Sequence, residues 1–220
     1  MCYTIDMYKT GVETRLRILE NAKRLFYRNG YKQTSVDMIC RASDAKLGTF
    51  TYYFPKKNDL LSVIYSEYMG RCSEYIRTEC LDLTSSEHHL YTVMLYYQKL
   101  YSDPQTVRFH KEIMEIASMN TWFHDSRKLI TEFSATNSTG MEENFYDLCV
   151  QADNAVRREL NLEFMEKEGH TPEDIKRLLE KIYSINGLLF GIDQKKIGRE
   201  LEDAYHFYLS HQNCSVALLH

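Results

Sequence analysis

Between residues 34 and 57 the chain gathers short hydroxyls, phenols and amines: Thr34, Ser35, Lys46, Thr49, Thr51, Tyr52, Tyr53 and Lys57, with Leu47 and Gly48 set among them. Donors and cations of this kind suit phosphate oxygens and the edges of bases in a groove. They do not make an acid–base set. G-x-S-x-G, a Walker loop, G-x-G-x-x-G, H-E-x-x-H and paired C-x-x-C are all missing from the sequence. Metal spacing is approached by His88-His89 and by His110-Lys111-Glu112. Adjacent histidines point to different sides of a helix, and His206 and His211, five apart, also miss a shared face. The expectation is no catalytic residue, no metal and no cofactor.

The elements that must hold these donors are read from periodicity. Val12, Leu16, Leu19, Ala22, Leu25 and Phe26 recur at spacings of three and four and predict a helix over 10–29, stopped by Gly30. Thr34 is the candidate N-cap of a short second helix over 35–42, with Val36, Ile39 and Cys40 inward and Asp37 in its first turn. Ser43-Asp44-Ala45 breaks it, and Asp44 can take the left-handed conformation of a tight turn. A third helix over 46–53 ends before Pro55. A long fourth helix follows from Lys57 to about Leu81. Further helices are read at 87–102, 104–119, 121–133, 141–168, 172–190 and 195–212, with Thr171-Pro172-Glu173-Asp174 the clearest start signal. Two short helices joined by a tight turn behind a longer one make a helix-turn-helix pattern. The fold class is therefore all-α.

Charge separates the two ends. The chain of 220 residues carries a net −4, yet residues 1–60 hold eleven Lys and Arg against six acids, a net +5. A basic head on an acidic body fits nucleic-acid binding by the head alone. Six scattered cysteines, no apolar signal segment at the start and no apolar run near 20 residues point to a cytoplasmic protein with reduced thiols and no membrane partner.

The run from Thr34 to Leu61 resembles the DNA-binding region of the tetracycline-repressor-like (TetR) family. The resemblance rests on Phe26 to Tyr31, the Thr34-Ser35 cap, Gly48-Thr49-Phe50, and Tyr53-Phe54-Pro55-Lys56-Lys57 leading to Leu60-Leu61. It covers about residues 10–62. Two positions depart from the family pattern: Thr51 stands where Tyr is usual, and the turn reads Ser43-Asp44-Ala45 for Ala-Gly-Val. The resemblance implies a DNA-binding domain over 1–56 and a helical ligand-sensing and dimerisation domain over 57–220. It implies a homodimeric transcription regulator, a repressor released from a palindromic operator by a small molecule. Lys46 and Leu47 are then expected at base edges, Gly48 at close approach to the DNA backbone, and Ser35, Thr49, Thr51, Tyr52, Tyr53 and Lys57 at phosphates or edges.

In the middle of the chain, aromatic residues suit the walls of a small-molecule pocket. The expected effector contacts are Tyr68, Tyr96, Tyr97, Trp122, Phe123, Tyr146 and Asn186. In the resembled family the last two helices pair across a two-fold axis, which points to Ile175, Leu179, Ile182, Leu189, Leu201, Tyr205 and Tyr208 as the dimer face. The expected response is a swing of the fourth helix that changes the separation of the two reading helices. A helical protein-interaction adaptor without specific DNA binding is the alternative reading of the same all-helical pattern.

Overall fold

The computed structural model describes residues 2–116, 142–167 and 169–219. Among the described residues there are nine helices and no strand. In chain order they are α1 (Cys2–Asn29), α2 (Val36–Ala42), α3 (Leu47–Tyr53), α4 (Lys57–Glu79), α5 (Ser85–Tyr101), α6 (Pro104–Met114), α7 (Glu143–Phe164), α8 (Pro172–Phe190) and α9 (Gln194–Ser210). The helix expected over 121–133, with Trp122 and Phe123 on it, lies outside the described residues. The helix expected over 104–119 stops at Met114.

Helix ends follow local chemistry. Asp103 caps α6 and Pro104 opens it. Thr84 with Glu87, and Thr171 with Asp174, form reciprocal caps on α5 and α8. Each such cap contributes about 1 kcal/mol. Gly191 closes α8 in the left-handed region at φ 67.

Helix α5 sits at the centre, packed on α4, α6, α8 and α9. It is buried on nearly every side, with Leu90, Met94, Tyr97 and Leu100 all enclosed, as a central helix must be. Helices α1, α2 and α3 stand at one end, attached through α1 to α4 and α6. A buried ammonium reinforces that junction: Lys23 Nζ lies 2.9 Å from both Glu20 and Glu67, stapling α1 to α4. Phe26, Tyr31 and Phe109 form an aromatic cluster with ring centroids 5.3–6.4 Å apart, and Tyr65 stacks on Phe109 from α4. One continuous apolar core thus runs from the N-terminal helices into the rest of the molecule. After α9 the chain folds back, burying Leu218 and Leu219, with Lys99 donating to Gln212 O.

Five residues expected at a dimer face pack inside the chain. Ile175, Leu179, Ile182, Leu201 and Tyr208 are buried within their own chain. Periodicity finds the widest apolar stripe of a helix, and here α5 and the α8–α9 contact take that stripe. Leu189 and Tyr205 are half-buried. The large apolar side chains that do face outward on α8 and α9 are Leu188, 78% exposed, and Leu209.

Candidate nucleic-acid interface

Ser35 is the residue that caps α2, its hydroxyl accepting from Met38 N at 3.2 Å. Thr34, expected in that role, is fully buried. Its hydroxyl donates back to Gly30 O at 2.7 Å, so it closes the α1–α2 corner and cannot reach a phosphate. The turn to α3 works as its residue types allow: Asp44 takes φ 45, and Ala45 N donates to Cys40 O at 2.9 Å.

Helix α3 is two-faced over its seven residues. Phe50, followed by Phe54, is buried beneath it, and the Arg15 guanidinium lies 5.2 Å over the Phe54 ring. The outer face carries Lys46, Leu47, Gly48, Thr51 and Tyr52, all exposed, with Thr49 half-exposed. Leu47 at 62% and Tyr52 at 80% exposure are large side chains that the fold leaves in water. Tyr52 meets Tyr53 edge-on at 4.9 Å.

Gly48 has no internal reason to be glycine. Nothing lies within 4 Å of a Cβ built there, and its backbone needs no left-handed angle. Glycine inside a helix is destabilising by about 0.5–1 kcal/mol relative to alanine. Nothing within the chain compensates for that cost at the exposed start of the helix. Gly11 differs: a Cβ there would meet the Tyr53 hydroxyl at 3.1 Å. That glycine lets Tyr53 lie against α1, half-buried at the side of the outer face of α3.

Thr51 and Lys57 both make contacts within the chain. The Thr51 hydroxyl lies 3.1 Å from Leu47 O and 3.2 Å from Gly48 O, so its hydrogen is committed to the helix. Thr51 can offer a methyl group and lone pairs, which suit a base edge better than a phosphate. Lys57 Nζ turns inward. It donates to Tyr31 O at 3.0 Å and Thr34 O at 2.9 Å and sits 3.9 Å over the Tyr31 ring. Burial pulls its pKa down, and Glu112 partly offsets this. Lys57 is therefore a brace, and the exposed cation at that corner is Lys56.

The interface is gripped from behind by α6, which the sequence reading did not anticipate. Glu112 accepts from Lys32 N at 2.7 Å and crowds Gly30, where a Cβ would stand 2.5 Å from Oε1. Arg108 donates to Tyr27 O and Arg28 O, both at 2.9 Å, closing the C-terminal carbonyls of α1. Lys32 Nζ pairs with Glu115 at 2.6 Å, a hydrogen bond that raises the lysine's pKa.

Of the expected effector contacts, Tyr68 and Tyr96 pack at 4.6 Å, and the Tyr68 hydroxyl donates to Tyr96 O at 2.7 Å. Tyr97 is buried on α5, Tyr146 is half-buried 5.8 Å from Phe190, and Asn186 is buried on α8. Trp122 and Phe123 are outside the described residues. The structure adds Asp153, Arg157 and Asn161, buried on one stripe of α7 at spacings of four. Among the described residues no helix is long and apolar enough to cross a membrane, and no His, Cys, Asp and Glu group could hold a metal ion.

Residues 18–64 match the family model described as bacterial regulatory proteins, tetR family. Two curated proteins of Bacillus subtilis strain 168 are similar over about a third of the chain. An uncharacterized HTH-type transcriptional regulator, YxaF, is 30% identical over 73 residues, 33% of this chain and 38% of that protein. A probable HTH-type transcriptional regulator, YttP, is 30% identical over 74 residues, 34% of this chain and 36% of that protein. The chain thus covers little more than a third of the length of these relatives. The fold is similar over a longer stretch to the crystal structure of RolR in complex with resorcinol, at TM-score 0.58 and 14% identity, covering 90% of this chain and 95% of that one. A tetR-family regulator from Streptomyces coelicolor is similar at TM-score 0.51 and 14% identity, covering 88% and 89%.

Proposed function

We propose that this chain, whose N-terminal helix-turn-helix belongs to the tetR family of bacterial regulatory proteins, is a homodimeric repressor that leaves its operator when a small molecule binds. Residues 1–56 read the DNA, and residues 57–220 sense the effector and carry the dimer contact. The observation that supports this best is the outer face of α3: an unneeded glycine at Gly48, flanked by exposed Lys46, Leu47, Thr51 and Tyr52. Such a face, with Ser35 at the start of α2, fits a major groove and its adjacent phosphates.

One α3 makes few base contacts, so a symmetric pair on two half-sites is the working unit. Leu188 and Leu209 are the exposed apolar side chains for that pairing, with Gly198, exposed and open on α9, allowing a close helix crossing. A small aromatic effector is consistent with the resorcinol bound by RolR and with the tyrosines of α4 and α5. Effector and operator are linked through α6, which touches the core with His110 and holds the α1–α2 corner with Arg108 and Glu112.

The test is binding of the full chain to its own upstream region as salt is raised. Specific binding is expected, with log affinity falling linearly in log salt with a steep slope. A protein that remains monomeric and ignores that DNA in dilute buffer overturns the proposal.

A further inference from the structure

The interior where α5, α7 and α8 meet holds a wholly buried polar cluster. Asp153 and Arg157 of α7 face each other at 3.2–3.4 Å. The Asn186 amide, oriented to satisfy both its atoms, donates to Asp153 Oδ1 at 2.6 Å and accepts from Arg157 Nη2 at 3.2 Å. Asn161 donates to Arg157 O at 2.7 Å and accepts from the Tyr101 hydroxyl at 2.5 Å. The Arg157 guanidinium lies 5.6 Å over the Tyr183 ring, whose hydroxyl meets His89 Nε2 at 2.6 Å.

Folding alone does not call for this arrangement. A buried ion pair is often no more stabilising than apolar residues of similar volume. The Asp153–Arg157 pair is also slack, since charge-assisted bonds of this type close to about 2.7–2.9 Å. Its bonds are the ones most readily exchanged for bonds to a ligand. The charge balance then limits what can enter. Among the described residues the cluster contains one cation, Arg157, and one anion, Asp153. His89 is held neutral, burial and then Arg157 pulling its pKa down to about 3. On the neighbouring α6, burial does the same to His110. A ligand with its own charge brings an unmatched charge into a desolvated interior, which is strongly unfavourable.

Taking the regulator reading above as its base, we infer that the effector is an uncharged aromatic compound with hydroxyl groups, bound against Asp153, Arg157 and Asn186 with its ring among Tyr97, Tyr101 and Tyr183. Its hydroxyl donates to Asp153 and accepts from Arg157 or Asn186, replacing the stretched bonds within the pair.

The experiment is calorimetric titration of the full chain, to millimolar concentration, with three probes of one shape: phenol, benzoate and benzylamine. Phenol is expected to bind at least tenfold more tightly than either ion. Asp153→Asn leaves Arg157 unmatched and is expected to move the preference to benzoate, whereas Asn186→Asp moves it to benzylamine. The inference is overturned if an ion binds the unaltered chain better than phenol, if no probe binds, or if both folded variants keep the original order. Should circular dichroism show one variant unfolded, the other variant and the unaltered chain still decide. Operator binding is measured separately on the same samples. Intact DNA binding with no phenol binding removes this inference and leaves the regulator reading. Phenol binding without any DNA binding does the reverse.

Discussion

Gly30 and Glu112 form the most exposed test of how the two ends of the molecule are joined. Gly30 holds φ +81, and a Cβ there would stand 2.5 Å from Glu112 Oε1 and 2.8 Å from Oε2. Gly30→Ala therefore carries two penalties. A left-handed angle disfavours alanine by about 1 kcal/mol. The Glu112 carboxylate must also withdraw, giving up its 2.7 Å bond from Lys32 N. A hydrogen bond to a charged group contributes about 1.5–3 kcal/mol, and solvent at the exposed Lys32 reduces that to about 1–2 kcal/mol. The expected loss is about 2–3 kcal/mol by chemical denaturation. In a Glu112→Ala background the carboxylate is gone, and Gly30→Ala is expected to lose only about 1 kcal/mol, for its angle. The coupling from the double-mutant cycle is then about 1–2 kcal/mol. Additivity within about 0.5 kcal/mol would refute the latch. Glu112→Ala alone is expected to bind operator yet respond less to effector.

Gly48→Ala should stabilise the fold by about 0.5–1 kcal/mol, because the Cβ meets nothing, while lowering operator affinity at least tenfold; equal affinity in a gel shift sinks the DNA-facing account of α3. Leu188→Glu should convert the dimer to monomer in sedimentation without changing the helical signal, and an unchanged dimer places the interface elsewhere. Acid should weaken the fold through the buried histidines. Both have folded pKa values near 3 against 6.5 unfolded, so the unfolded chain binds the extra protons and stability falls as pH drops below about 6.5. Each contributes a loss of about 2 kcal/mol between pH 7 and pH 5. His110→Asn should remove about half of that slope in denaturation midpoints, and an unchanged slope rejects the assignment.

The N-terminal end was legible because its signals are local. Gly30 and Asp44 need angles that few residues tolerate, Pro55 ends α3, and the donors of α3 lie within eight positions of one another. Errors there were those of direction. Lys56 and Lys57 are neighbours in sequence, and only the packed Tyr31 ring shows which ammonium turns inward. The C-terminal half hid its buried polar cluster for a different reason. Asp153, Arg157 and Asn161 at spacings of four read as an ordinary solvated pair on a helix face. Burial is what gives them meaning, and burial there depends on α5 and α8, which are distant in sequence. Periodicity likewise marks the main apolar stripe, which holds the buried Ile182, and is silent on Leu188, which lies outside that stripe and is exposed.

The polar cluster and the α1–α2 corner are joined by a short run of contacts. Asn161 holds Arg157 O and the Tyr101 hydroxyl, and the Tyr101 ring meets His110 of α6 edge-on at 6.4 Å. His110 in turn meets the Tyr65 hydroxyl of α4 at 2.7 Å. Two residues further along α6, Glu112 holds Lys32 N, three residues before the Ser35 cap of α2. A helix three turns long thus has His110 against the Tyr101 and Tyr65 side chains on one face and Glu112 on the corner before α2 on the other. An effector can change operator affinity only by the free energy that differs between the two positions of such an element. If the latch supplies about 1–2 kcal/mol of that difference, its loss should reduce the response by roughly 5- to 30-fold, and no further. A Glu112→Ala chain whose operator release is abolished altogether would mean that α6 acts through more than this carboxylate. Full retention would mean that α4, stapled to α1 by Lys23 and Glu67, carries the signal instead.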